Sequence, residues 1–210
     1  EAGANLVLCS RNVETCETTA RDLRTLGREA VALPLDVTDP ESVDRLVKEA
    51  ISRFDTIEIL VNCSGVSRHA PAAEMPLETW KEIVDTNLTG TFLMCQAVGR
   101  HMLANGYGKI VNISSVAGLR GYDPERLDSV AYTSSKGGVH TLTKDLAVKW
   151  GPYGVYVNAV APGEFPTNMN RARLTPEFVE RVARNVPLRR LGGERDLMGA
   201  VLFFASRASD

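Results

Sequence analysis

Five short apolar runs recur along the chain, and none of them alternates cleanly with polar residues. They are NLVLCS (5–10), EAVALPLDV (29–37), IEILVNCSG (57–65), KIVNISS (109–115) and VYVNAVAPG (155–163). Runs of Val, Ile and Leu without a period of two mark strands buried on both faces. Between them the apolar positions take a helical spacing, which predicts helices over about 13–26, 40–54, 76–104, 129–151, 175–185 and 194–207. The segment DPESVDRLVKEAISRF shows the pattern well. Asp39 suits an N-cap, Pro40 the first helical position, and Val43, Leu46, Val47 and Ala50 form one apolar stripe. Strands alternating with helices predict one α/β domain over residues 1–210: a doubly wound parallel sheet, helices on both faces, three layers in all.

The ends of the predicted strands carry the first hint of chemistry. Ser10, Arg11 and Asn12 end the first, and Asp36 and Val37 the second. Asn62, Cys63, Ser64 and Gly65 end the third, Ser114 and Ser115 the fourth, Pro162 and Gly163 the fifth. Polar residues and glycines thus gather at the carboxyl ends of all five, the edge where open α/β sheets bind ligands.

Composition narrows the picture without redirecting it. The chain has 210 residues, 44% hydrophobic and 24% charged, with a formal net charge of −2. That balance gives no reason to expect nucleic acid or a membrane surface as partner. No apolar run approaches the ~20 residues that span a bilayer. Cys9, Cys16, Cys63 and Cys95 form no C-x-x-C pair and have no metal-ligand spacing, so no metal is expected. They read as buried or partly buried thiols in a reducing, cytoplasmic compartment. The chain opens on Glu1 without a methionine, which leaves a preceding leader open.

The stretch AYTSSKGG (131–138) raises a sharper question. Tyr132 and Lys136 are four apart and share a helix face. A lysine cation beside a tyrosine favours the phenolate and lowers its pKa from near 10, which makes it usable as a general acid or base. Gly137 and Gly138 follow, each costing about 1 kcal/mol in a helix interior relative to alanine. Their expected use is the close approach of a backbone or a cofactor. Val139, Leu142, Leu146 and Trp150 form the opposite face, which is expected to pack on the sheet. Ser115, at a strand end, has a hydroxyl able to hydrogen-bond a substrate carbonyl.

These motifs, in this order, resemble the short-chain dehydrogenase/reductase family over essentially the whole chain. LDV (35–37) matches the family's adenine-contacting Asp-Val, and NCSG (62–65) stands where N-N-A-G is usual. DTNLTG (85–90), NISSVAG (112–118) and YTSSK (132–136) align Asn87, Ser115, Tyr132 and Lys136 with the family's catalytic residues. APGEFPT (161–167) matches the segment over the nicotinamide, with Pro162, Gly163 and Thr167. The resemblance implies a Rossmann-type fold and hydride transfer between a nicotinamide and a carbonyl or secondary alcohol. Tyr132 would be the acid/base and Ser115 would hold the oxygen. Lys136 would lower the tyrosine pKa and bind the ribose, and Asn87 would hold a water of a proton relay. Ser10, Arg11, Asn12, Asp36, Val37, Asn62, Ser64 and Gly65, with Tyr132 and Lys136, would line the dinucleotide site. A neutral Ser10 followed by the Arg11 guanidinium suits a 2′-phosphate, so NADP(H) is expected, with NAD(H) as the alternative. The competing reading of Arg11 is a solvated arginine at a strand end. The family usually assembles as homotetramers through helices corresponding to 76–104 and 129–151.

Departures from the family shape further expectations. The glycine-rich loop and its strand, which open the family's fold, do not precede the run at 5–10, nor does the last strand follow FFASRASD. The strands at 5–10 and 57–62 are therefore expected to lack a shared neighbour, and the chain reads as a piece of a longer protein. A truncated, inactive protein or a non-catalytic nucleotide-binding protein stays open as an alternative. The segment LRGYDPERLDS lengthens the Ser115–Tyr132 interval and is expected at the mouth of the site. Residues 164–190 are expected to form a substrate lobe. They carry Arg171, Arg173, Arg181, Arg184, Arg189 and Arg190 against Glu164, Glu177 and Glu180. SGVSRHAPAAEMP, with Arg68 and His69, is similar to gluconate 5-dehydrogenase-like members, and APGEFPTNM to 3-oxoacyl-carrier-protein reductases. A sugar acid is the favoured substrate and a phosphopantetheine thioester the alternative.

Overall fold

In the computed structural model, residues 2–167, 169–171 and 174–210 are described. Among these residues there are five strands: β1 (Leu6–Ser10), β2 (Ala30–Pro34), β3 (Ile59–Asn62), β4 (Gly108–Ile113) and β5 (Val155–Val160). All their pairings are parallel, in the order β1-β2 and β3-β4-β5. β1 and β3 share no hydrogen-bonded neighbour, as expected, and Ile59 and Val61 of β3 stay partly exposed at 39%.

The helices are α1 (Val13–Thr25), α2 (Pro40–Phe54), α3 (Leu77–Val84), α4 (Gly90–Asn105), α5 (Val130–Trp150), α6 (Pro176–Arg184) and α7 (Glu194–Phe204). Asp39 caps α2 by accepting from the Glu41 amide, and Val43, Leu46, Val47 and Ala50 are all buried. α2 packs on α4 and α4 on α5, while α1 lies against β1 and β2, and α7 against β4 and β5. The arrangement is the doubly wound α/β fold. Among the described residues no helix is long and apolar enough to cross a membrane.

Two features depart from the sequence reading. The predicted helix 76–104 is interrupted: α3 passes into a π-helical turn over Asp85–Thr89 before α4 begins. The wider turn puts Asn87 fully inside, where its side chain hydrogen-bonds the chain that follows β3. An insertion of this kind is invisible to a 3.6-residue period. The cysteines also divide: Cys95 is buried, Cys9 and Cys16 half-buried, and Cys63 exposed.

The middle of the three-stranded sheet is polar. Asn62 donates to the Asn112 carbonyl at 2.9 Å, and Asn112 donates to the Thr143 hydroxyl at 3.0 Å. Cys95 takes part through Asn62 at 3.3 Å. Asn112 has no exposed surface. Asn112→Ala would leave polar groups of Asn62 and Thr143 short of a partner, at a cost of about 1–3 kcal/mol. A lower denaturant midpoint with an unchanged slope is the expected result; an unshifted midpoint would mean the ladder adds no stability.

Candidate active site

The carboxyl ends of the strands do lie along one edge, and α5 crosses it. Three contacts lock α5 to the end of β4. The Ser114 hydroxyl donates to the Lys136 carbonyl at 2.9 Å. The Lys136 ammonium donates back to the Ile113 carbonyl at 2.8 Å. A Cβ on Gly118 would sit 2.5 Å from the Lys136 carbonyl carbon, and one on Gly137 would meet the Gly118 oxygen at 3.3 Å. Gly138 makes room for Leu88 of the π-turn, whose methyl would be 2.6 Å from a Cβ there. The glycines after Lys136 are thus explained by close approach, and Val139, Leu142, Leu146 and Trp150 pack toward the core.

Tyr132, Ser115 and Lys136 come together at this crossing. The Tyr132 phenol lies near enough to Ser115 for that side chain to ease its ionisation, and the Lys136 ammonium lies 5.9 Å from the tyrosine ring centre. Ser115 also accepts from the Ala117 amide at 3.1 Å, and its carbonyl meets His140 Nε2 at 3.1 Å. His140 escaped the sequence reading; its place one turn beyond Lys136 was the available signal. Asn87 joins the cluster indirectly. Its carbonyl oxygen Oδ1 accepts from the Val66 amide at 2.8 Å, and its amide donates to the Val66 carbonyl and the Ser135 hydroxyl. Its side chain braces the chain after β3 against α5, and a Cβ on Gly65 would meet both Asn87 and Lys136 within 4 Å.

The electrostatics differ from expectation. Tyr132 does not carry a lowered pKa: burial raises it, and Ser115 only partly opposes that. Lys136 directs its ammonium at a backbone carbonyl, so its charge does not offset the cost of a buried phenolate. Burial also lowers the Lys136 pKa to about 8. Cys9 and Cys95 are pushed up to about 12 by burial, which makes them poor nucleophiles.

A cleft of about 160 Å³ runs along the edge beside this cluster. It brings together the predicted Ser10, Arg11, Asp36, Val37, Ser64 and Gly65, and adds Leu35, Val66 and Thr86. Two hydrogen bonds from Thr38 hold the Asp36 carboxylate below its usual range, and the Arg11 charge adds to the effect. The other predicted residues make contacts of their own. Asn12 caps α1 through the Thr15 amide, and the Asn62 side chain is spent in the sheet's polar ladder. The Pro162 carbonyl accepts from the Val116 amide, Gly163 has open space around it, and Thr167 bonds Asn170. Arg68 pairs with Glu82 at 2.7 Å. Arg173 lies outside the described residues.

A family profile described as short chain dehydrogenase matches residues 1–177. The chain is similar to gluconate 5-dehydrogenase of Gluconobacter oxydans, 37% identical over 99% of this chain and 80% of that protein. It is also similar to a 3-oxoacyl-[acyl-carrier-protein] reductase of Synechocystis, 37% identical over 86% of this chain and 70% of the relative. Among solved structures, it is similar to gluconate 5-dehydrogenase from Burkholderia cenocepacia in complex with NADP and tartrate. That match has a TM-score of 0.92 and 37% identity, covering 99% of this chain and 80% of that one.

The buried lysine makes a pH signature. Between about pH 8 and the ordinary value of 10.5, the unfolded chain holds a proton that the folded one has lost. Stability therefore rises with pH through that window, and below pH 8 the full cost of the buried cation is present. Subtracting Lys136→Met from the parent isolates this contribution from the thiols. The difference in unfolding free energy is expected to rise by on the order of 3 kcal/mol from pH 8 to 10.5. A difference flat with pH would show an ordinary lysine.

Proposed function

The chain belongs to the short-chain dehydrogenase family, and on that premise we propose that it is an NADP(H)-dependent oxidoreductase of a sugar acid, with Tyr132 as general acid/base. The family fixes the coarser part: an oxidoreductase that acts on CH–OH groups of a small molecule with NAD(P). The finer reading is carried by one observation. A half-buried phenol, a serine hydroxyl close to it and a buried lysine meet beside a cleft at the carboxyl edge.

Hydride comes from, or goes to, a nicotinamide dinucleotide bound along that cleft. The residues present suit such a group: Gly65 leaves space that a Cβ would fill, and Arg11 stands at the far end. In reduction, Ser115 holds the substrate oxygen and Tyr132 delivers its proton as the alkoxide develops. A phenol kept neutral by burial is a ready donor. In oxidation the deprotonated phenolate of Tyr132 takes the alcohol's proton, a step that gains with rising pH as the phenolate forms. Lys136 would hold the ribose hydroxyls and Pro162, Gly163 and Thr167 would contact the nicotinamide, while Asn87 keeps the wall between α5 and the chain after β3 in register. Residues 164–190 serve as the substrate lobe. Four free thiols suit a reducing cytoplasm, and assembly into a homo-oligomer through α4 and α5 belongs to the same reading. Phe92 and Val148 are exposed on those helices.

A sugar acid is favoured by gluconate 5-dehydrogenase relatives that match in both sequence and structure. The second reading, a 3-oxoacyl thioester, rests on the Synechocystis relative.

Two measurements test this. Tyr132→Phe is expected to lower kcat about 10²–10⁴-fold while the dinucleotide still binds; retention of more than about a few percent of turnover would remove Tyr132 from the role. Arg11→Asp is expected to move the ratio of kcat/KM for NADPH over NADH toward NADH by about tenfold or more. An unchanged ratio would make Arg11 a solvated surface residue.

A further inference from the structure

A second cavity, of about 360 Å³, shares no lining residue with the cleft. It lies between the loop that follows Ser115 and helix α6, and its walls include Arg120, Tyr122, Asp123, Glu125, Arg126 and Arg181. None of these lines the dinucleotide cleft. The loop that walls the cavity runs between two of the reacting residues: Ser115 precedes it, and Tyr132 follows three residues after its end at Ser129. Tyr122 is near enough to the Tyr132 phenol to act on its ionisation, as is Glu164. The end of the loop is tied down where Ala70 and Ser129 form a parallel bridge, just before α5 begins. Arg181 of α6 reaches across to the Glu125 carbonyl at 3.4 Å and closes the far wall.

The walls carry three guanidiniums against two carboxylates, and both carboxylates have work within the loop. Asp123 accepts from the Glu125 amide at 2.8 Å, and Glu125 faces Arg181 at 3.9 Å. Arg120 is different. It donates to the Tyr122 hydroxyl at 3.2 Å and lies 4.9 Å over the Tyr122 ring, and among the described residues no carboxylate pairs with it. Several arginines nearby are paired: Arg68 with Glu82, Arg184 with Glu180, Arg190 with Asp196. Arg120 instead stands, without a carboxylate partner among the described residues, in the wall of a cavity of the size that small-molecule sites have, about 300–1,000 Å³.

We infer that this cavity holds the anionic end of the substrate, the carboxylate of an open-chain sugar acid, and that Arg120 is the specificity-determining residue that binds it. Guanidinium and carboxylate match in a planar, two-bonded geometry. The Tyr122 ring holds the guanidinium plane, so the pairing needs little side-chain ordering when the substrate arrives. The inference rests on the sugar-acid reading of the site.

The test compares two ketones that differ only at the far end. One is 5-keto-D-gluconate; the other is L-sorbose, the same carbon chain with a hydroxymethyl group in place of the carboxylate. Both are offered with NADPH to the parent, Arg120→Gln and Arg120→Lys. The expected result is a KM for the keto acid raised about tenfold or more in Arg120→Gln, with kcat within about twofold. Arg120→Lys recovers part of the loss, and kcat/KM for L-sorbose stays the same in all three. An unchanged KM for the keto acid overturns the assignment, as does an equal loss on both ketones, or a parent that prefers L-sorbose. In each of those cases the oxidoreductase reading stands. A parent that ignores the keto acid and reduces a 3-oxoacyl thioester overturns the sugar-acid reading, and the Arg120 assignment with it.

Discussion

The site depends on how closely the end of β4 approaches the second turn of α5. Two backbones meet there with no side chain between them: Gly118 lies against Lys136 and Gly137. Polar contacts then fix the registration from both sides, Ser114 to the Lys136 carbonyl and the Lys136 ammonium to the Ile113 carbonyl. The strand end therefore sets where the helix sits, and the helix satisfies backbone groups that the strand end leaves over. Ser115 and Tyr132 meet because their parent elements cannot slide past one another. Helical propensity given up at Gly137 and Gly138 is exchanged for that fixed geometry.

The same closeness decides the electrostatics. Lys136 reaches the edge through the interior, and the residue is only 4% exposed. Burial disfavours its charge, just as burial disfavours the charge of the neighbouring phenolate. Two groups expected to help each other ionise are both held toward their neutral forms, because desolvation outweighs an attraction that the Ile113 carbonyl has turned aside. The polar ladder from Asn62 through Asn112 to Thr143 extends this buried polarity beneath the edge, with each amide satisfied by the next.

Much of this was legible in the sequence. The five apolar runs became the five strands, and their polar ends fell on one edge, since a parallel sheet points every strand end the same way. Tyr132 and Lys136 shared a face because helical spacing is a strong regularity. The π-turn at Asp85–Thr89 was not legible: one extra residue per turn leaves the pattern of apolar positions nearly intact. Asn62 was read as part of the cleft because it ends a strand, yet a residue's side-chain direction depends on the pleat, and here the pleat turns Asn62 toward Asn112. The sign of the Tyr132 shift was missed for a related reason. Sequence spacing shows which groups are neighbours, whereas the depth of each and the direction of an ammonium are set by packing.

The cavity walled by Arg120 shows the same division at larger scale. The arginines of 164–190 looked like one basic lobe, but charge in a folded chain is spent locally. Arg184 is matched within its own helix and Arg190 by the helix that follows. A count of arginines therefore overstates the field that a substrate meets. What matters is the cation whose nearest acids are already engaged, and Asp123, by capping its own turn, leaves Arg120 in that position. A loop inserted between the serine and the tyrosine can thus change what the site recognises without touching what it does. The reacting groups are fixed by the β4–α5 crossing, whereas the loop is held at its two ends and by Arg181 of α6 at its middle.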